Sequence, residues 1–269
     1  MARIARTYIK FPSAHYHIFT HLADELPYLL PSEKEHLLRL LRRLTSLFNL
    51  SLLAYAIMGN HIHLVVKTHP EDQLTDQEAL RRALALYSNP AAVLSRPSSY
   101  WRSRLSDISF FAKELFQRFA QWRNLRLGRR GHGFRDRFRS VLLEGGRAAL
   151  AACVYVDLNP ARAGLSRSAE RYRWVSYAAR RAGAAGWLLD MKELGLSLAD
   201  YGEVLDAVGR MQREGKASLS EEERARLLHI VSYRGQGLVY GAEEFVGAVL
   251  AKFPHRRRVK WRGEGIVLA

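Results

Sequence analysis

Two apolar runs, Leu50–Met58 (LSLLAYAIM) and His61–Lys67 (HIHLVVK), are separated by Gly59 and Asn60 alone. Both runs have the length and composition of strands. Two residues can join them only as a tight antiparallel hairpin, because a parallel pair needs a crossover of about a dozen residues or more. With strands flanking it, such a hairpin suggests an antiparallel sheet. The hairpin also sets faces. Alternation puts His61 and His63 on one side of their strand and Ile62, Leu64 and Val66 on the other, and the second side is read as core.

The flanking segments complete an α+β pattern. His15–Leu22 alternates as a strand. Ser32, with Glu35 three residues on, opens a helix whose Leu37, Leu38, Leu41, Leu44 and Phe48 share a buried face. Residues 69–105 are polar, carry Pro70, Pro90 and Pro97, and read as an insertion with one helix over Asp76–Tyr87. Ser106 or Asp107 caps a long helix to about Leu127. GRRGHG (Gly128 to Gly133) breaks the chain, Phe134–Leu143 alternates as a strand, and Ala148–Leu158 is helical up to Asn159, since Pro160 disfavours helical geometry before it. These elements predict an antiparallel sheet with helices on one face. Beyond Tyr177 the texture changes: RRAGAAG (Arg180 to Gly186) reads as a linker, and Leu198–Glu214 and Ser220–Val231 as helices. Residues 1–180 are therefore expected to form one domain, and 181–269 a mainly helical C-terminal region. That region contains a glycine-rich turn after Tyr233, a short helix burying Phe245, Val246, Val249 and Leu250, and a basic tail suited to a polyanion.

Charge narrows the partners. Forty-two Lys and Arg against 26 Asp and Glu give a net +16, a field that attracts polyanions. Phe116 to Arg147 holds nine arginines and two acids, interleaved with Phe116, Phe119, Trp122, Phe134 and Phe138. Arginine beside aromatic side chains suits phosphate contact combined with base stacking. A second cluster joins Lys252, Arg256, Arg257, Arg258, Lys260 and Arg262. No apolar run reaches the roughly 18 residues of a membrane helix, and the N-terminus lacks a signal-peptide stretch. The lone Cys153 excludes a disulfide framework and a cysteine-rich zinc site, so a reducing cytoplasm is expected.

Two constellations could carry chemistry. His61 and His63 on one sheet face can share a divalent cation, or can simply be surface histidines. His15 and His17 repeat the spacing and are read as sheet-face histidines near the substrate. In CVYVDLNP, Tyr155 and Asn159 stand four apart and share a helical face. They could be a nucleophile beside a metal ligand, or a buried aromatic and a helix-end cap.

Taken together, MGNHIHLVV, the basic aromatic helix, GHGFRDRFRS, YVDLNPARAGL and WVSY (Trp174 to Tyr177) resemble the single-tyrosine HUH transposases, in particular the REP-associated branch. The resemblance runs from about residue 5 to 178. It implies a ferredoxin-like (RRM-like) core and a transposase-like endonuclease and strand transferase on single-stranded or hairpin DNA. His61 and His63 would be metal ligands for Mg²⁺ or Mn²⁺, Tyr155 the nucleophile of a 5′-phosphotyrosine intermediate, and Asn159 a third ligand where Gln is common. Arg135, Arg137 and Arg139, two apart on a strand, would line the DNA backbone, Arg137 foremost. Arg118, Arg123, Arg129 and Arg130 would extend that surface. Related enzymes are monomers or homodimers, and neither state is preferred.

Two other readings belong to other classes. A catalytically silent nucleic-acid-binding protein on the same fold would not need His61, His63 and Tyr155 together. A zinc hydrolase built on the histidine pair lacks an obvious third strong ligand or a glutamate base near it.

Overall fold

A computed structural model describes residues 13–23, 26, 28–215, 220–233, 235, 239–251, 259–262 and 265–268. Strand β1 (Ala14–His21) leads to helix α1 (Pro31–Leu47), then to the hairpin β2 (Leu50–Ile57) and β3 (His61–Thr68). Four elements follow: α2 (Asp76–Leu86), α3 (Pro90–Leu94), α4 (Ser98–Leu105) and the long α5 (Ile108–Arg126). Next come β4 (Arg139–Leu143), α6 (Gly146–Asp157), α7 (Asn159–Arg162) and α8 (Ser176–Arg181). The chain continues through α9 (Leu198–Glu214), α10 (Glu221–Ser232), β5 (Val239–Tyr240) and α11 (Glu243–Ala251) to the hairpin β6 (Val259–Arg262) and β7 (Gly265–Leu268). Lys252, Arg256, Arg257 and Arg258 lie outside the described residues.

The fold is α+β, built on a five-stranded sheet in the order β2-β3-β1-β4-β5. The first four strands are antiparallel, and β5 adds a short parallel edge to β4. Met58 N–H donates to the His61 carbonyl (2.9 Å) and closes the expected two-residue hairpin. Helices cover both faces of the sheet, where the sequence pattern placed them on one. Ile18, Ile62, Leu64 and Val66 pack with Leu37, Leu41, Phe111 and Leu115 of α1 and α5. On the other side Val65, Val141 and Ala56 pack with Val154 and Val156 of α6, and with Tyr201 and Leu205 of α9. The reason lies in β2, whose near-continuous apolar run supplies Leu52 and Tyr55 to the first cluster and Leu53 and Ala54 to the second. A strand that is apolar on both faces requires cover on both. Residues on both sides of position 180 share the second cluster, which also includes Leu227, Ile230 and Tyr240.

The 69–105 segment holds three helices where one was expected, and Trp101 Nε1–H of α4 donates to the Val93 carbonyl of α3 (3.0 Å). Asp107 caps α5, accepting from Ser109 N–H (2.6 Å) and Phe110 N–H (3.2 Å). The strand after α5 starts at Arg139, so Arg135 and Arg137 lie in a loop and do not alternate with Arg139. Aromatic packing holds that loop: Phe134 and Phe138 both sit on Phe116, at 5.2 and 6.2 Å between ring centroids. Gly133 packs so close to Ala120 that a Cβ there would fall 2.7 Å from the alanine Cβ.

Arg123, expected on the DNA surface, is instead buried. It is 2% exposed, and its Nε donates to Glu33 Oε1 of α1 at 2.9 Å. The side chain falls on the face of α5 that packs α1, and the glutamate compensates its charge. Arg123→Ala should therefore lower the free energy of unfolding by about 3–5 kcal/mol, because it strands a buried carboxylate. The exposed Arg137→Ala should change it by less than about 0.5 kcal/mol. Urea denaturation measures both. An Arg123→Ala protein of undiminished stability but weakened DNA binding would return Arg123 to the DNA surface.

Candidate active site

The second face of the sheet brings the candidate residues together. His61 and His63 project from β3 toward α6, with ring centroids 5.1 Å apart and planes nearly perpendicular. Helix α6 ends at Asp157 and α7 begins at Asn159, with only Leu158 between them, and Tyr155 and Asn159 both reach the β3 histidines. The Tyr155 ring lies 5.9 Å from that of His63. Asn159 Oδ1 lies 3.1 Å from His61 Nε2. Between the two, Asp157 points away and anchors the helix. Its buried carboxylate accepts from Ser176 Oγ–H (2.6 Å), Tyr177 N–H (2.9 Å) and Tyr201 Oη–H (2.7 Å). Burial pushes the pKa of Asp157 up, against the pull of those three donors.

Three participants were not legible as such in the sequence. Arg162 of α7 lays its guanidinium 4.0 Å from the centre of the Tyr155 ring and donates to the Tyr155 carbonyl. Tyr233, just after α10, places its hydroxyl 2.7 Å from His17 Nδ1. Gly235, at φ +64°, lies against Tyr155 so closely that a Cβ would sit 2.9 Å from the ring. The sequence signals were faint: an arginine two residues past the NP pair, and a tyrosine opening a glycine-rich turn.

His17 is more than a sheet-face histidine. It is fully buried, and its Nε2 is 2.8 Å from His63 Nδ1. A continuous chain thus runs from Tyr233 through His17 to His63. Burial drives the pKa of His17 down to about 3 and holds His63 well below its ordinary value, so both rings are neutral at neutral pH. His15 projects from the same side of β1, away from the cluster toward Gly145, and burial lowers its pKa to about 4.

Two imidazoles and an amide oxygen could together hold a divalent cation, imidazole being a borderline rather than a hard donor. Burial also lowers the pKa of His61, so its ring carries one N–H. When that proton is on Nδ1, it is donated to Asn60 Oδ1 at 2.7 Å. His61 Nε2 and Asn159 Oδ1 then turn lone pairs toward each other across 3.1 Å. Two adjacent ligands of an octahedral ion, each about 2.1 Å from it, are separated by roughly 3.0 Å. Among the described residues no group of three His, Cys, Asp or Glu side chains could hold a metal. An amide oxygen would therefore be the third protein donor beside His61 and His63.

The remaining arginines form a partial surface. Arg130, Arg135, Arg137 and Arg139 are exposed, and Arg129 is half-buried. Arg118 is half-buried as well, paired with Glu114 at 2.9 Å and donating to the Leu86 carbonyl (3.1 Å). No helix among the described residues is long and apolar enough to cross a membrane.

Fold and site together describe an α+β protein whose central strands present a histidine pair to a tyrosine-bearing helix. No family model and no curated protein matches the sequence. Among solved structures the chain is similar to a REP-associated tyrosine transposase bound to a REP hairpin, with a TM-score of 0.46 and 14% identity over 70% of this chain and 89% of that one.

Proposed function

We propose that this chain is a metal-dependent endonuclease and strand transferase on single-stranded DNA, of the single-tyrosine HUH kind, working through a 5′-phosphotyrosine intermediate on hairpin DNA in the cytoplasm. One observation carries the reading: Tyr155 lies within ring-contact distance of His63 while His61 Nε2 and Asn159 Oδ1 converge to 3.1 Å beside it. His61, His63 and Asn159 would hold Mg²⁺ or Mn²⁺. When bound, the ion would supply Lewis-acid polarisation of the scissile phosphate and offset charge in the transition state.

The chain's own residues divide the remaining work. Tyr155 Oη attacks phosphorus, the bond to the 3′-oxygen breaks, and the departing strand leaves with a 3′-hydroxyl. The phenolic proton is lost to solvent and the 3′-oxygenate gains one, so charge balances and the phosphodiester energy stays in the new bond. Attack by a 3′-hydroxyl reverses the step and rejoins DNA. Arg162, over the Tyr155 ring, brings positive charge to the position a phosphotyrosine would occupy. The histidine chain links the tautomers of its members. His63 can offer Nε2 as a ligand only when its Nδ1–H donates to His17 Nε2, which in turn makes His17 Nδ1–H donate to the Tyr233 hydroxyl oxygen.

The test is incubation of the full-length protein with single-stranded hairpins from DNA flanking its own gene, with Mn²⁺, read as a covalent protein–oligonucleotide adduct on a denaturing gel. A protein that binds these strands but never forms the adduct would be the silent binder instead. The tautomer argument adds a prediction. Tyr233→Phe removes the acceptor for His17 and should raise the Mn²⁺ concentration needed for half-maximal adduct about 10- to 100-fold. An unchanged Mn²⁺ requirement would leave Tyr233 as packing only.

A further inference from the structure

On the face of the sheet opposite the histidines, a cleft of about 780 Å³ opens between α4, α5 and the 132–138 loop. Its floor is aromatic: Trp101, Phe110 and Phe116 are buried, and Tyr100 and Phe138 are half-buried. Its rim is cationic, with Arg104, Lys113 and Arg137 exposed to solvent. The Arg104 guanidinium lies 5.3 Å from the Tyr100 ring and 5.1 Å from that of Phe110, and the Lys113 ammonium 5.7 Å from Phe110. Two carboxylates line the cleft. Asp107 is engaged in capping α5, and Asp136 stands on the loop. Three cations against two acids, above a bed of rings, suit a flat anionic ligand whose aromatic part stacks while its phosphate meets the rim. The volume is that of an ordinary small-ligand site.

Position ties the cleft to the strand end that carries the histidines. Its lining includes Thr20 of β1, next to His21, and His21 pairs across strands with His61. The His21 and His61 rings are 5.3 Å apart. A polynucleotide passing over this end of the sheet would meet both the cleft and the histidine pair. Tyr100, Trp101 and Arg104 come from the 69–105 segment, to which the nuclease chemistry gives no role.

We infer that the cleft binds one unpaired nucleotide of the substrate strand, with its base on the aromatic floor and its phosphate on Arg104, Lys113 and Arg137. This rests on the single-stranded DNA reading above. The experiment uses full-length protein without divalent ion, so that binding is separated from cleavage. A short single strand carrying 5-iododeoxyuridine at successive positions is irradiated on the protein, and the crosslinked peptides are mapped. Crosslinks are expected at Tyr100, Phe110 or Phe138. The Tyr100→Leu, Arg104→Ala double variant should bind the strand about ten- to a hundredfold more weakly. Its slope of log affinity against log salt should be shallower by about 0.7. Tyr100→Phe keeps the ring and should bind like the parent, which separates lost stacking from lost folding. If the parent binds no single strands, the DNA reading fails and the cleft assignment with it. If it binds them tightly, with crosslinks confined to other surfaces and the double variant unaffected, the cleft assignment alone is overturned. Displacement of the strand by an acidic peptide as readily as by a mononucleotide would also overturn it.

Discussion

Tyr155→Phe is expected to abolish covalent attachment of DNA while leaving fold stability and affinity for single strands close to those of the parent. The variant loses one oxygen and keeps the ring. Its contacts with His17, His63 and Tyr233, at 5.8, 5.9 and 5.5 Å, are therefore retained, as is the cation–π contact with Arg162. Without the phenol there is no oxygen to form the bond to phosphorus, so the effect on the adduct is total. Neighbouring tyrosines are poorly suited to substitute. Tyr233 is fully buried against His17. Tyr172 donates to the Ile57 carbonyl (3.0 Å) and accepts from Lys34 (2.8 Å), and burial raises its pKa to about 12. Gel detection of the adduct, followed by peptide mapping, decides the matter. A surviving adduct mapped to Tyr172, Tyr177 or Tyr233 would relocate the nucleophile.

The second large effect separates the two histidines of β3. His61→Ala and His63→Ala should each reduce Mn²⁺-dependent adduct formation by at least about 100-fold, since each would remove one of the three proposed protein donors. Their stabilities should differ. His61 is half-buried, and its loss leaves the exposed Asn60 to water. His63 is buried and is the partner of His17, so its removal leaves a buried ring nitrogen unsatisfied at a cost of about 1–3 kcal/mol. Urea denaturation beside a Mn²⁺ titration reads both quantities. DNA affinity in the absence of metal should hold in both variants, because it rests on the basic surface. Cleavage by either variant at the parent rate would remove the metal assignment. Equal stabilities would show that the buried chain through His17 contributes nothing to the fold.

The sequence alone settled what local patterns can settle. Two residues between two apolar runs forced an antiparallel hairpin. Period-two alternation put His61 and His63 on one face, and period 3.6 put Tyr155 and Asn159 on another. The Ser106–Asp107 pair announced the start of α5, because a hydroxyl or carboxylate before an apolar helix satisfies free backbone N–H groups. These are short-range constraints, written within a few residues of where they act. What lay beyond them depended on contacts between distant segments. Arg123 looked like its basic neighbours until α1 placed Glu33 beside it, and Arg135 and Arg137 alternated like strand residues until their flanking phenylalanines packed onto Phe116. His17 became the partner of His63 only through the pairing of β1 with β3, and Tyr233 reached it from 216 residues away in the chain. No period or spacing records such a meeting. Burial on both sheet faces decides it, by fixing which side chains face one another where water is excluded.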